Sequence, residues 1–390
     1  MSEVKFSPEE LARYSRHIIL PDFNIEGQKK LKQSKVLVVG TGGLGAPLLL
    51  YLTAAGVGTI GLVDFDVVDD SNLQRQVLFT RDDIGVPKVL AAKKRLEALN
   101  PYVKFIPYQV GLTSDNAMDI IKDYDVVADG TDNFPTRYLV NDACVLLGKV
   151  NVYASIYRFE GQATVFNYKN KQGELGPNYR DLFPTPPPPG LVPSCSEGGV
   201  LGVLPGIMGS IQASEVIKVI SGVGEPLSGR LYLFDASSFE TRTLKIKRRK
   251  DNPLNGENPT QTGLIDYQQF CGMDFHEDSN HEKKPIKSIN VKELNDLMQQ
   301  KANFQLIDVR ETYEYDIANL QGVLIPKGEV AQHLSKIAKD KQVVVHCRSG
   351  KRSADVIELL QDKYGFENLY NLEGGILAWA KQIDHSMPTY

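Results

Sequence analysis

Residues Lys35 to Gly45 read KVLVVGTGGLG, an unbroken aliphatic run that empties into glycines. Val36, Leu37, Val38 and Val39 have no polar interruption, the pattern of a central parallel strand covered on both faces. Gly40, Gly42, Gly43 and Gly45 let the backbone turn sharply and approach an anion, with a helix opening near Ala46 whose N-terminal amides carry partial positive charge. A Gly-x-Gly-x-x-Gly pattern alone also fits any tight strand-to-helix turn. Its context narrows the reading: about 20 residues on, a second strand, TIGLV, ends in Asp64, at the spacing where an acidic group meets a nucleotide ribose. The stretch predicts a nucleotide-binding βαβ unit in an α/β, Rossmann-like fold.

Outward from this core, the upstream segment SPEELARYSRHIILPDFN opens with Ser7 and Glu10 in a capping-box spacing and continues as a short amphipathic helix. Arg16 on that helix is either a solvated surface charge or a group that reaches a phosphate. Downstream of Asp64 comes FDVVDDSNLQRQVLFTRDDIGVPKV, dense in polar residues for a segment after a buried strand. Asn72, Arg75 and Lys88 stand out there, because a nucleoside triphosphate needs several positive donors around its oxygens, whereas a dinucleotide pyrophosphate needs fewer. The strand Asp125 to Ala128 then runs into DGTDNFPTRYLVND. Asp132 sits just past the carboxyl end of that strand, where open α/β sheets deliver ligands. It suits magnesium held through phosphate oxygens and water, or equally a helix N-cap.

With 390 residues, the chain has room for two or three domains, each with its own core. Charged residues make up 24% and the net charge is -4, which leaves no global basic surface for nucleic acid or an anionic membrane. The opening MSEVKFSPEE is not a signal sequence and no apolar run reaches about 18 residues, so a soluble, cytoplasmic protein is expected. Cys144, Cys195, Cys271 and Cys347 are widely spaced without a Cys-x-x-Cys pair, against a disulfide scaffold and against a simple zinc ribbon. Asn178 to Ser196 is a proline-rich loop or crossover with Cys195 at its end, either a thiol of lowered pKa or a small residue anchoring the loop. Residues 276–285, HEDSNHEKKP, have almost no large apolar side chains and read as a linker between a domain at 1–275 and another at 286–390.

The second domain has its own organising loop. A strand, QVVVHC, discharges into Cys347, Arg348, Ser349, Gly350, Lys351, Arg352 and Ser353. Three cations and a run of backbone amides beside one thiol at a strand-to-helix junction predict a reactive thiolate that holds anions. Asp308 and Arg310 in LIDVRE are expected to brace the fold by ion pairing.

These motifs carry a resemblance. RYSRHIILP, VLVVGTGGLG, LVDFDVVDDSNLQRQVLF, GVPKV, DGTDNFPTRYLVND and GVLGVLPGIMGSIQASEVIK, in that order, resemble the ubiquitin-activating-enzyme-like adenylyltransferases of the molybdopterin-synthase and thiamine sulfur-carrier type. LIDVRE, VVVHCRSGKRS and NLYNLEGGILAW resemble a single-domain rhodanese. The resemblance implies adenylation of the C-terminal glycine of a small ubiquitin-fold sulfur carrier ending in Gly-Gly, followed by sulfur transfer to give a thiocarboxylate. It implies ATP and Mg2+ as cofactors, a homodimer, and a sulfur donor such as a cysteine desulfurase or thiosulfate. It assigns Gly42, Gly43 and Gly45 to the ATP loop, Asp64 to the ribose and Arg75 and Lys88 to the triphosphate. Arg16 would serve the partner subunit's nucleotide, Asp132 the magnesium and Cys347 the persulfide. Cys195 becomes a thiol that forms a covalent carrier intermediate or helps resolve an acyl disulfide.

The sequence departs from the resemblance in two places. Many relatives hold zinc with two Cys-x-x-Cys pairs, where this chain reads Asn178-Tyr-Arg-Asp181 and Asn252-Pro-Leu-Asn255, so no zinc site is expected. Asn319 to Pro326, NLQGVLIP, is one residue shorter than the usual rhodanese run, which alters the local surface. Two other functions fit parts of the sequence: an NAD-dependent oxidoreductase with an appended rhodanese, and a non-catalytic scaffold for a ubiquitin-fold partner.

Overall fold

The computed structural model describes residues 4–188, 198–272 and 285–389. The chain forms two compact units, Met1–Glu277 and Asp278–Tyr390. In the first, an eight-stranded sheet runs in the order β3-β2-β1-β4-β5-β6-β7-β8. The strands are β1 (Lys35–Val39), β2 (Thr59–Val63), β3 (Lys104–Tyr108), β4 (Val126–Asp129), β5 (Val150–Tyr157), β6 (Glu160–Phe166), β7 (Arg230–Asp235) and β8 (Glu240–Lys245). Strands β1 to β5 pair in parallel, and β6 to β8 extend the sheet as an antiparallel meander.

The aliphatic run places β1 at the middle of the parallel part, flanked by β2 and β4, with Val36 to Val39 all buried. Each such side chain removed from water contributes about 1.5–3 kcal/mol, which is why the run sits here and not at an edge. The helix that follows, Gly45–Ala55, is apolar on nearly every side. It is covered on both flanks, because the long helix Leu204–Ser221 lies against it closely enough that a Cβ on Gly209 would enter the Leu44 carbonyl and the Pro47 ring. Gly56 ends it in the left-handed conformation, φ +81°, pressed against the Tyr14 ring. The N-terminal helix Pro8–Ile18 therefore docks at the C-terminal end of Gly45–Ala55, with Ser7 and Glu10 forming the capping box.

The second unit holds a five-stranded, all-parallel sheet in the order β11-β10-β12-β13-β9. Its strands are β9 (Lys287–Ile289), β10 (Phe304–Asp308), β11 (Val323–Leu324), β12 (Gln342–His346) and β13 (Leu369–Leu372). Here again an aliphatic run, Val343 to Val345, is fully buried on the central strand. Asp308 and Arg310 form a fully buried ion pair, Arg310 Nη2 to Asp308 Oδ2 at 2.5 Å, and the same guanidinium donates to the Glu314 and Ala318 carbonyls. It ties the end of β10 to the helix Thr312–Ile317.

The four positions where relatives carry zinc cysteines converge, although they come from segments far apart in the chain. Asn178 Nδ2 donates to Asn255 Oδ1 at 3.0 Å, and Asn252 Nδ2 donates to Asp181 Oδ1 at 2.7 Å and to Asn178 Oδ1 at 3.2 Å. The Arg249 backbone N–H adds a further bond to Asp181 Oδ1. Amides and one carboxylate already bonded to each other do not fit a thiolate-type zinc cage. A hydrogen-bonded cluster clasps the two loops.

Candidate functional site: an anion cradle and a thiol loop

The cradle of the first unit is built by close backbone approaches. Gly40 has φ +89°, and a Cβ there would meet the Gly130 carbonyl oxygen at 3.1 Å. A Cβ on Gly45 would run into the Gly40 carbonyl oxygen. The glycine loop and the Gly130-Thr131-Asp132 segment therefore form one mouth at the carboxyl ends of β1 and β4.

The polar segment after β2 folds over this mouth. A Cβ on Gly43 would lie 3.8 Å from Arg75 Cγ and 3.2 Å from Pro205 Cβ, and one on Gly42 would lie 3.4 Å from Gln76 Nε2. Arg75 is held by Nη1 on the Ser71 carbonyl at 3.1 Å, and Asn72 closes a 3-10 turn whose Asp69 amide bonds its Oδ1. Asp64 faces the loop: its Oδ2 accepts from both the Thr41 amide and the Thr41 hydroxyl at 2.9 Å. Lys88, nearly buried at the start of the helix Lys88–Leu99, pairs with Asp66 at 2.9 Å.

Asp132 is exposed at the rim, and neither a hydrogen bond nor an ion pair engages it among the described residues. The helix cap next to it is Asn133, whose Oδ1 accepts from the Thr136 amide at 3.0 Å. Asp132 is therefore spared that task. Asp129, three residues earlier at the end of β4 and fully buried, takes both Thr131 donors on Oδ1, leaves Oδ2 without a hydrogen bond, and has its pKa raised by burial. Arg16 is exposed in the last turn of Pro8–Ile18, at the far end of the helix Gly45–Ala55 from the cradle. Eleven helical residues, about 16 Å, separate the Tyr14–Gly56 contact from the cradle, and no hydrogen bond or ion pair ties Arg16 to the cradle among the described residues.

Cys195 lies outside the described residues. Cys144 and Cys271 are buried and burial pushes both thiols up, Cys271 to about 11, so neither has the setting of a nucleophile.

In the second unit the thiol loop follows β12 into the helix Lys351–Tyr364. Cys347 Sγ accepts from the Gly350 amide at 3.1 Å, and Ser353 Oγ stands 3.5 Å from it. Gly350 turns the loop at φ +94°, and a Cβ there would meet the Leu372 carbonyl at 3.1 Å. The amides of Ile376 and Leu377 hold the Cys347 and Arg348 carbonyls from outside at 3.0 and 3.1 Å. Ser349 and Lys351 are exposed and Arg348 is half-buried, while Arg352 makes a two-pronged pair with Glu314, both contacts at 2.7 Å. Burial works to raise the Glu314 carboxyl, but the Arg352 bonds outweigh it and hold its pKa below the usual range. Arg352 in this loop is thus anchored by a carboxylate from another segment. Thr41, Gln76, Glu314 and Asn371 were not signalled by the sequence as site residues, since nothing in their local pattern marks them.

The comparisons with known proteins agree with this division. A ThiF family model matches residues 14–255 and a Rhodanese-like domain matches residues 290–382. The chain is 49% identical over 387 residues to the "Probable adenylyltransferase/sulfurtransferase MoeZ" of Mycobacterium tuberculosis, spanning 98% of this chain and 96% of that protein. It is 55% identical over 270 residues to the sulfur carrier protein adenylyltransferase of Thermus thermophilus, which is matched over its whole length by 69% of this chain. The adenylyltransferase and sulfurtransferase MOCS3 of Xenopus laevis is 42% identical over 404 residues, covering 98% of this chain and 88% of that protein. Among solved structures, Escherichia coli MccB with ATP shares the fold of the first unit, with a TM-score of 0.54 over 63% of this chain and 74% of that one at 22% identity. The chain belongs to the ThiF family and carries a rhodanese-like domain behind it, an adenylyltransferase joined to a sulfurtransferase.

Proposed function

We propose that the first unit binds ATP with magnesium and adenylates the C-terminal glycine of a small ubiquitin-fold sulfur carrier ending in Gly-Gly, and that Cys347 then supplies sulfur as a persulfide to give the carrier thiocarboxylate. The observation that carries the first half is the approach of the Arg75 side chain to Gly43, its Cγ 3.8 Å from where a Cβ would stand, on a glycine loop whose Thr41 bonds Asp64 and whose Gly40 abuts Gly130. A triphosphate whose α-phosphorus is attacked by a carboxylate needs neutralisation and alignment more than a general base. In this reading Gly42, Gly43 and Gly45 let the phosphates approach the backbone, Asn72 orients the turn that carries Arg75, and Arg75 and Lys88 offset charge on the leaving pyrophosphate. Asp64 takes the ribose. Asp132, a single free carboxylate at the rim, suits magnesium, which is usually held by one or two carboxylates together with phosphate oxygens and water. Magnesium there would withdraw charge from the phosphate oxygens.

Arg16 would serve a partner subunit's cradle in a homodimer in this scheme, a reading supported by its exposure in the last turn of Pro8–Ile18. Cys195 acts after adenylation, as a covalent carrier holder or as the thiol that resolves an acyl disulfide. The sulfur reaches Cys347 from a desulfurase or from thiosulfate, and the reactions run in the cytoplasm.

The deciding experiment for the first half is ATP–pyrophosphate exchange with a Gly-Gly-ended carrier. Exchange that requires ATP, magnesium and the carrier is expected. Tight NADH binding without exchange would favour an oxidoreductase, and carrier binding without exchange would favour a scaffold; either result contradicts the proposal.

A further inference from the structure

Ser353 follows the thiol loop, is fully buried, and its hydroxyl is surrounded by acceptors. Asn371 Oδ1 lies at 2.6 Å, the Gly350 carbonyl at 3.1 Å and Cys347 Sγ at 3.5 Å. A serine hydroxyl has one proton, so these three acceptors compete for it. With a neutral or persulfurated Sγ, the short contact to Asn371 holds the proton. A thiolate is the stronger acceptor because it is charged, and it draws the same proton by rotation about one side-chain bond. Asn371 is held in place meanwhile by its Nδ2, which donates to the Gly350 carbonyl at 3.1 Å.

We infer that Ser353 is a catalytic residue of the sulfurtransferase reaction, a hydrogen-bond donor that moves from Asn371 to Cys347 Sγ when negative charge returns to that sulfur. The inference rests on the reading of Cys347 as the persulfide carrier. In loading, the Cys347 thiolate attacks the outer sulfur of thiosulfate, the Sγ–S bond forms, the S–S bond of thiosulfate breaks, and sulfite leaves with the electron pair. In discharge to cyanide, a carbon–sulfur bond forms, the Sγ–S bond breaks, thiocyanate departs, and the pair returns to Sγ. Ser353 keeps its proton throughout and bonds the sulfur as charge arrives. Its contribution therefore falls on discharge, where Cys347 is the leaving group.

The test uses the full chain and follows the two half-reactions separately, sulfite release on loading with thiosulfate and thiocyanate formation on discharge with cyanide. Ser353→Ala should load at near the wild-type rate and discharge about tenfold to a hundredfold more slowly, the scale of one hydrogen bond to a charged group. Ser353→Thr, which keeps the hydroxyl, should restore discharge. Asn371→Ala, which removes the strongest competitor for the proton, should discharge at least as fast as wild type, and this arm decides the matter if Ser353→Ala does not fold. Normal discharge by Ser353→Ala, equal loss of both half-reactions, or slowed discharge in Asn371→Ala would overturn the assignment. Loading that persists in Cys347→Ala would instead remove the persulfide reading beneath it.

Discussion

The two anion loops of this chain solve one problem in different ways. Gly40 to Gly45 contributes backbone and almost no charge, and in the proposed reading its cations, Arg75 and Lys88, come from the segment after β2 and its carboxylate, Asp132, from the segment after β4. Cys347 to Ser353 contributes the nucleophile, the amides, three cations and a hydroxyl from one heptapeptide. The glycine loop is a place where a ligand is assembled against distant groups, while the thiol loop carries its nucleophile, amides and cations in one heptapeptide that Glu314 and Asn371 brace from other segments. Damage to the first should thus be spread over several segments, and damage to the second should be local.

Cys347→Ala sets that contrast most sharply. Sulfur transfer should fall roughly 10⁴-fold or more, the scale on which a covalent nucleophile is lost, while carrier-dependent pyrophosphate exchange is unchanged. A fall in exchange would show that the loops are not separable. Arg75→Ala is the converse: pyrophosphate exchange should fall about 10²–10³-fold, as for loss of one charge-stabilising donor, with thiosulfate loading of Cys347 intact.

Acid should also separate the units. His346 is fully buried with neither ring nitrogen hydrogen-bonded, and burial, opposed by Asp308 and aided by Arg310, pushes its pKa down to about 4. As pH falls below 6.5 the unfolded chain takes up a proton that the folded second unit refuses until about 4, so the second unit loses about 3 kcal/mol across that window. Asp129 has the opposite sign: a carboxyl whose pKa burial raises favours the folded first unit at low pH and costs stability as pH rises through its range. Thermal unfolding followed between pH 7 and 4 should show the rhodanese-like unit weakening more, and His346→Gln should flatten that dependence. The smallest effect is expected at the clasp: Asn252→Ala removes donors to Asp181 and Asn178 and should cost the first unit about 1–3 kcal/mol, with no change on adding a chelator.

The difference between the loops also explains what could be read from the sequence. The fold was legible because both central strands carry uninterrupted aliphatic runs, Val36–Val39 emptying into Gly40 and Val343–Val345 leading through His346 into the thiol loop, and such runs are satisfied at the middle of a covered parallel sheet. The thiol was legible because Cys347 stands in one heptapeptide with Arg348, Lys351 and Arg352. The partners of these loops were not. Glu314 takes Arg352 across 38 positions of sequence, and Asn178 meets Asn255 across 77; such pairs depend on how parallel strands and their crossovers set the register, which no local pattern records. Arg352 consequently reads in sequence as a cation for the sulfur and in the structure as a cation shared with a carboxylate.

The central claim is that the two loops act in series on one carrier. Its most direct test is the mass of a Gly-Gly-ended carrier after incubation with the full chain, ATP, magnesium, thiosulfate and a thiol reductant that cleaves the acyl disulfide. One oxygen exchanged for sulfur at the carrier's C-terminus, lost in both Arg75→Ala and Cys347→Ala, is the predicted result. An unchanged carrier mass with the wild-type chain, or a sulfur gain that survives Cys347→Ala, would contradict it.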